Sequence, residues 1–181
     1  MKVIDLTSMV EEARALGQQS ESLRQMQLAA ARLRQETIWS LHVSGLSIRD
    51  LAGRLGCSPA VIQSAIKTAR DRRPRMPRRE ERIPFELHVQ LGLKLHENEQ
   101  SIREIGRAGI ERMRQRPRNP IAEEWLDRWT ELLDLPVGES EAAMLEDSPI
   151  AKELRQMSPF AGALTQGERV IAIKKAAALA T

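Results

Sequence analysis

The chain has 181 residues, 28 lysines and arginines against 25 aspartates and glutamates for a formal charge of +3, 41% hydrophobic residues and only 3% aromatic ones. That length suits one domain or two small ones, and the hydrophobic share argues against wholesale disorder; no apolar run reaches the roughly 20 residues that cross a bilayer, and the N-terminus lacks the basic-then-apolar order of a signal peptide. A single cysteine, Cys57, excludes an intramolecular disulfide and a cysteine-built zinc cage, three scattered histidines make no metal site, and the expectation is a soluble, cytoplasmic protein without cofactor.

Strand signals are absent: there is no tyrosine, and β-branched residues never alternate for long, so the whole chain is expected to be all-α. Residues 1–18 show helical spacing at Met9, Val10, Ala13 and Leu16, with a stop expected at Gly17. Ser20 or Ser22 would cap a second, longer helix ending near Ser44 and Gly45, with Leu23, Met26, Leu28, Ala30, Leu33, Ile38, Trp39 and Leu41 on its apolar face. Two short helices follow. Ser47 caps Ile48 to Leu55, Gly56 turns the chain, and Ser58 caps a helix that opens on Pro59 and runs to about Arg70. Pro74 and Pro77 among arginines make residues 71–82 a boundary. Beyond it, helices are expected over Phe85–His96 and Gln100–Arg116, then an acidic amphipathic helix from Pro120 with Trp125, Leu126, Trp129, Leu132 and Leu133 inward. Short helices near Glu139–Leu145 and Pro149–Met157 precede a last one from about Thr165, with Glu168 completing a capping box and a frayed Ala-rich end from Ala176.

Chemistry concentrates between Ser47 and Lys67. Two short helices crossing steeply need a small residue at the crossing, Ala52, and a turn residue tolerant of positive φ, Gly56. Leu51, Leu55, Ile62 and Ile66 then face inward toward Trp39 and Leu41. Ser58, Ala60, Gln63, Ser64 and Lys67 face outward, short or hydrogen-bonding side chains that let a helix enter a major groove. The run Ser47-Ile-Arg-Asp-Leu-Ala-Gly-Arg-Leu-Gly-Cys-Ser58 resembles the helix-turn-helix DNA-binding motif of site-specific invertases and many bacterial regulators. The match covers about 20 residues and departs from the usual pattern at Cys57 and Pro59. The resemblance implies base reading by Ser58, Gln63, Ser64 and Lys67, with Arg49 and Arg54 near phosphate.

The charge is unevenly spread. Residues 67–82 sum to +5, residues 101–118 to +4 and residues 121–168 to −8. The first stretch supplies Arg70, Arg72, Arg73, Arg75, Arg78 and Arg79 as candidate phosphate contacts, on the backbone or in the minor groove. The arginines at 103, 107, 112, 114, 116 and 118 either extend those contacts or coat a solvated helix face. Residues 125–133 and 153–165 weakly resemble the tails of actinobacterial antitoxin-type regulators. That resemblance implies a basic partner, such as a cognate toxin, docking on the acidic segment through Trp125, Trp129, Arg155 and Phe160; the alternative is that these aromatics build a core. No nucleophile–base pair, phosphate-cradling glycine loop or paired carboxylates stand out, so an enzyme is not expected. The expected organisation is an N-terminal helical segment (1–19), a helix-turn-helix domain (20–70), a basic linker (71–82) and a helical C-terminal domain (83–181). The expected function is a sequence-specific repressor acting on double-stranded DNA, an antitoxin or a mobile-element protein, as a possible homodimer. The rival from another class is a protein-interaction adaptor that binds no nucleic acid.

Overall fold

The computed structural model describes residues 6–115 and 120–180, and every regular element among them is helical. The elements are α1 (Leu6–Val43), α2 (Ile48–Leu55), α3 (Pro59–Asp71), α4 (Arg79–Glu97), α5 (Glu99–Arg114), α6 (Pro120–Asp134), α7 (Val137–Met144), α8 (Pro149–Gln156) and α9 (Gln166–Ala178). No described helix is long and apolar enough to cross a membrane.

The expected break at Gly17 does not occur, and α1 runs without interruption for 38 residues. A helical glycine costs only about 1 kcal/mol against alanine, and its neighbours are good helix formers. Ser20 and Ser22 are therefore interior residues, not caps. Farther on, the caps fall where the sequence puts them. The Ser47 hydroxyl accepts from the Asp50 amide at 3.1 Å while the Asp50 carboxylate accepts from the Ser47 amide, closing a capping box at the start of α2. Gly56 ends α2 in the left-handed region at φ 62°, and Ser58 caps α3 with Pro59 in its first turn.

Helix α4 starts six residues before the expected Phe85 and carries Pro84 inside it. A proline there has no N–H for the carbonyl four residues back. Gln156 of α8 supplies the missing donor, its amide reaching the Glu80 carbonyl at 3.0 Å. The freed carbonyl thereby becomes a link between α4 and α8.

Two larger apolar clusters result, beside a small one of Met76, Phe85 and Val89. One gathers Leu91, Leu95, Ile102, Ile110, Leu126, Trp129, Leu133, Leu154 and Phe160 from α4, α5, α6, α8 and the turn after α8. Phe160 meets Trp129 edge-on at 5.3 Å, and the Trp129 indole donates to the Leu154 carbonyl at 3.1 Å. Gly109 makes this fit possible, because a Cβ there would lie 1.9 Å from the Pro159 carbonyl oxygen. The other cluster joins Ile38 and Trp39 of α1 to Leu51, Ala52, Ile62, Ala65, Ile66 and Ala69 of α2 and α3. Leu41 and Leu55, expected inside, are 37% and 44% exposed.

Helix α9 spans the two clusters. Its small inner residues Ala172 and Ala176 are buried, and its end brings Ala178 and Leu179 against the α1–α3 cluster. The helix continues past Ala176 to Ala178, where the expectation was fraying; Thr181 lies outside the described residues.

His88 is 2% exposed, stacks on Trp129 at 5.8 Å and bonds through Nδ1 to the Pro84 carbonyl at 2.7 Å. Burial, with Arg155 nearby, pushes its imidazole down to about 4 from 6.5, against the pull of that carbonyl. An unfolded chain takes up a proton here as pH falls through 6.5, and the native chain does not until about 4. Stability from His88 is therefore complete above 6.5 and lost between 6.5 and 4. Denaturant titrations across that range are expected to show a loss of about 3 kcal/mol from this residue, and His88→Phe should flatten that slope. An unchanged slope in the variant would remove His88 as its source.

Candidate nucleic-acid interface

The turn at Gly56 and the cap at Ser58 fix where α3 begins, and the apolar residues Ile62, Ala65, Ile66 and Ala69 fix which face it buries. Its other face carries Ala60, Gln63, Ser64 and Lys67, all exposed, with Arg49 and Arg54 exposed on the neighbouring α2. The Ser58 hydroxyl oxygen is engaged as a cap, accepting from the Val61 amide at 3.4 Å, so it has its own proton to offer a ligand. Lys67 is ion-paired with Asp71 one turn on, a solvent-exposed pair of the weakly held kind.

A shallow hollow of about 410 Å³ lies along this face, lined by His42, Ile48, Gln63, Ile66, Lys67, Arg70 and Asp71. His42, in the last turn of α1, is a residue that sequence reasoning set aside as isolated. Its Nδ1 bonds to the Leu46 carbonyl at 3.0 Å, which turns the ring toward the hollow's residues rather than away from the chain. Its place in the turn leading into the Ser47 cap was the available signal.

Arg70 also lines a second, adjoining hollow of about 380 Å³ with Arg75, Arg82, Pro74 and Pro77. Its guanidinium donates to the Ala178 carbonyl at 3.2 Å, which anchors it between the two. Arg82 is held by the Met76 and Pro77 carbonyls at 3.0 and 2.9 Å. Arg75, Arg78 and Arg79 are exposed beside it. The α3 face and the basic stretch after it thus form one continuous strip with Arg70 at the join.

Arg73 borders the second hollow too, but its guanidinium is buried. Its side chain is 3% exposed and lies between Glu36 and Glu86, with hydrogen bonds of 2.8 Å to each. It stacks over the Trp39 ring at 4.6 Å, and Lys175 of α9 approaches the same ring at 4.9 Å while bonding Glu36 at 3.0 Å. Two carboxylates and two cations therefore neutralise one another in the interior, which removes Arg73 from the phosphate contacts expected of it. Arg72 bonds Gln35 at 2.5 Å and Glu36 at 3.2 Å at the rim of this cluster and is turned toward α1. Its side chain nevertheless stays 30% exposed.

Some of the later arginines and acids pair with each other at the surface. Arg107 pairs with Asp134 at 2.9 Å and Arg114 with Asp127 at 2.6 Å, tying α5 to α6. Arg103 is buried and donates to the Leu133 and Leu135 carbonyls. Arg112 is exposed; residues 116 and 118 lie outside the described residues. The expected docking residues are also corrected. Trp129 and Phe160 are 1% and 7% exposed core residues, and Arg155, 4% exposed, donates to the Met144 and Glu146 carbonyls. Only Trp125 reaches the surface, half-buried with Arg128 over its ring. Among the described residues no group of three His, Cys, Asp or Glu is arranged to hold a metal ion.

Burial pushes the Glu36 carboxyl up, but Arg73 and Lys175 outweigh it and hold the group at about 2. Its stabilisation is present above the ordinary 4.5 and is lost as pH falls toward 2. Glu36→Gln leaves two interior cations undercompensated and is expected to cost roughly 3–5 kcal/mol, measured by chemical denaturation at neutral pH; a cost below about 1 kcal/mol would mean that water reaches the cluster. No protein-family model, curated protein or solved structure matches the chain in the three comparisons made with known proteins.

Proposed function

We propose that this chain is a sequence-specific DNA-binding protein that acts as a transcriptional repressor, with α2, the Gly56 turn and α3 working as a helix-turn-helix. The observation that carries the reading is the continuous strip in which Gln63 and Lys67 on the exposed face of α3 run through Arg70 into Arg75. A helix whose outer face carries alanine, serine and glutamine approaches base edges closely, and Gln63 is the residue with both a donor and an acceptor for a bidentate adenine contact. Arginines flanking such a helix hold it against phosphate without reading sequence. Arg70, Arg75, Arg78 and Arg79, with Arg49 and Arg54, fill that role, and occupying an operator in this way blocks transcription.

Of the acids in the later segment, Asp127 and Asp134 pair with α5 arginines at the surface. The repressor reading stands without a protein partner.

Selection from random duplexes supplies the operator, and titrations at several salt concentrations supply the rest. Gln63→Ala is expected to lose roughly 1–3 kcal/mol of discrimination at one base position. Arg75→Ala and Arg78→Ala are expected to weaken binding to all sequences alike, each lowering the salt slope by about one. Absence of any salt-sensitive duplex binding at low ionic strength would overturn the proposal in favour of a protein-binding adaptor.

A further inference from the structure

Helix α1 is the one described element that leaves a long stretch unpacked. Its buried residues are Glu36, Ile38 and Trp39, all near its end. Over the preceding turns Leu6, Met9, Val10, Leu16, Leu23, Met26 and Leu33 are between 42% and 71% exposed. A helix with no packed face draws little stability from propensity alone, so this stripe calls for a cover.

The stripe has a coiled-coil period. Leu6, Met9, Ala13, Leu16, Ser20, Leu23, Gln27 and Ala30 follow one another at alternating steps of three and four residues. Set against a second copy running the same way, this seam stacks leucine on leucine and alanine on alanine, and brings Arg34 against Arg34. Run the opposite way, the same seam sets large against small at Leu6 and Ala30, Ala13 and Leu23, and Leu16 and Ser20, with Met9 against Gln27. Such layers interdigitate at even spacing. The charges agree with that direction. Glu12 comes level with Arg24 of the opposed copy, an acid beside a base.

The exposed apolar side chains of two copies together amount to on the order of 1,000 Å², the size at which specific interfaces begin.

We infer that the occupant of the α1 stripe is a second copy of this chain, bound as an antiparallel helix pair centred near residues 17–19. The inference stands apart from the nucleic-acid reading, since a dimer of this form needs no DNA. It adds a geometric consequence: the two α3 helices sit at opposite ends of the pair, on the order of 60 Å apart from the helical rise, near two turns of duplex DNA.

Sedimentation of the full chain at micromolar concentration is expected to give twice its 20.4 kDa mass. Leu16→Glu with Leu23→Glu, both at exposed positions, should give a monomer whose Trp129 core melts as in the parent. Cross-linking fixes the direction, in a Cys57→Ser background. Gln19→Cys lies beside its counterpart in the antiparallel pair and should oxidise to a linked dimer. Ala13→Cys is held about 15 Å from its counterpart along the axis and should not. A monomeric parent chain, or a dimer that survives the double glutamate substitution, would overturn the proposal. Linkage through position 13 instead of 19 would overturn the antiparallel direction.

Discussion

Four charges in the interior hold this protein together. Glu36 of α1, Arg73 just after α3, Glu86 of α4 and Lys175 of α9 come from four separate parts of the chain and meet over the Trp39 ring. Taking any one of them out of water alone costs several kcal/mol. They are tolerated because each carboxylate meets cations and the sum is neutral. The cost of leaving any partner behind makes the cluster a register device: α1, α4 and α9 have one relative placement in which all four are satisfied.

That placement decides what the basic stretch can do. With Arg73 turned inward and Arg82 bound to two carbonyls, the chain between α3 and α4 follows a fixed path across the end of α9. Arg70 and Arg75 then stand beside the outer face of α3 instead of moving on a loose tether. A fixed path limits the ordering entropy that a flexible arm loses on binding. The same rigidity makes the position of the basic strip relative to Gln63 a property of the fold.

Local rules made much of this legible. Capping residues, the left-handed glycine and the helical spacing of apolar residues mark α2, α3, α6, α8 and α9 because each depends on neighbours within a few residues. What escaped depends on partners far away. Pro84 reads as a helix boundary until Gln156, 72 positions on, supplies the donor that it lacks. Gly17 reads as a stop although its cost is small. The summed charge of residues 67–82 treats Arg73 as equal to Arg75, whereas one is buried between carboxylates and the other exposed. The −8 of the later chain treats Asp127 and Asp134 as free, whereas Arg114 and Arg107 hold them. Net charge counts groups; it takes the fold to say which of them face water.

The central claim is that the interior charges join the α1–α3 cluster and the α4–α8 cluster into one cooperative unit through α9. Scanning calorimetry of the intact chain at neutral pH tests it directly. A single transition is expected, with calorimetric and van't Hoff enthalpies in agreement. Two resolved transitions, with α1–α3 melting apart from the remainder, would contradict it.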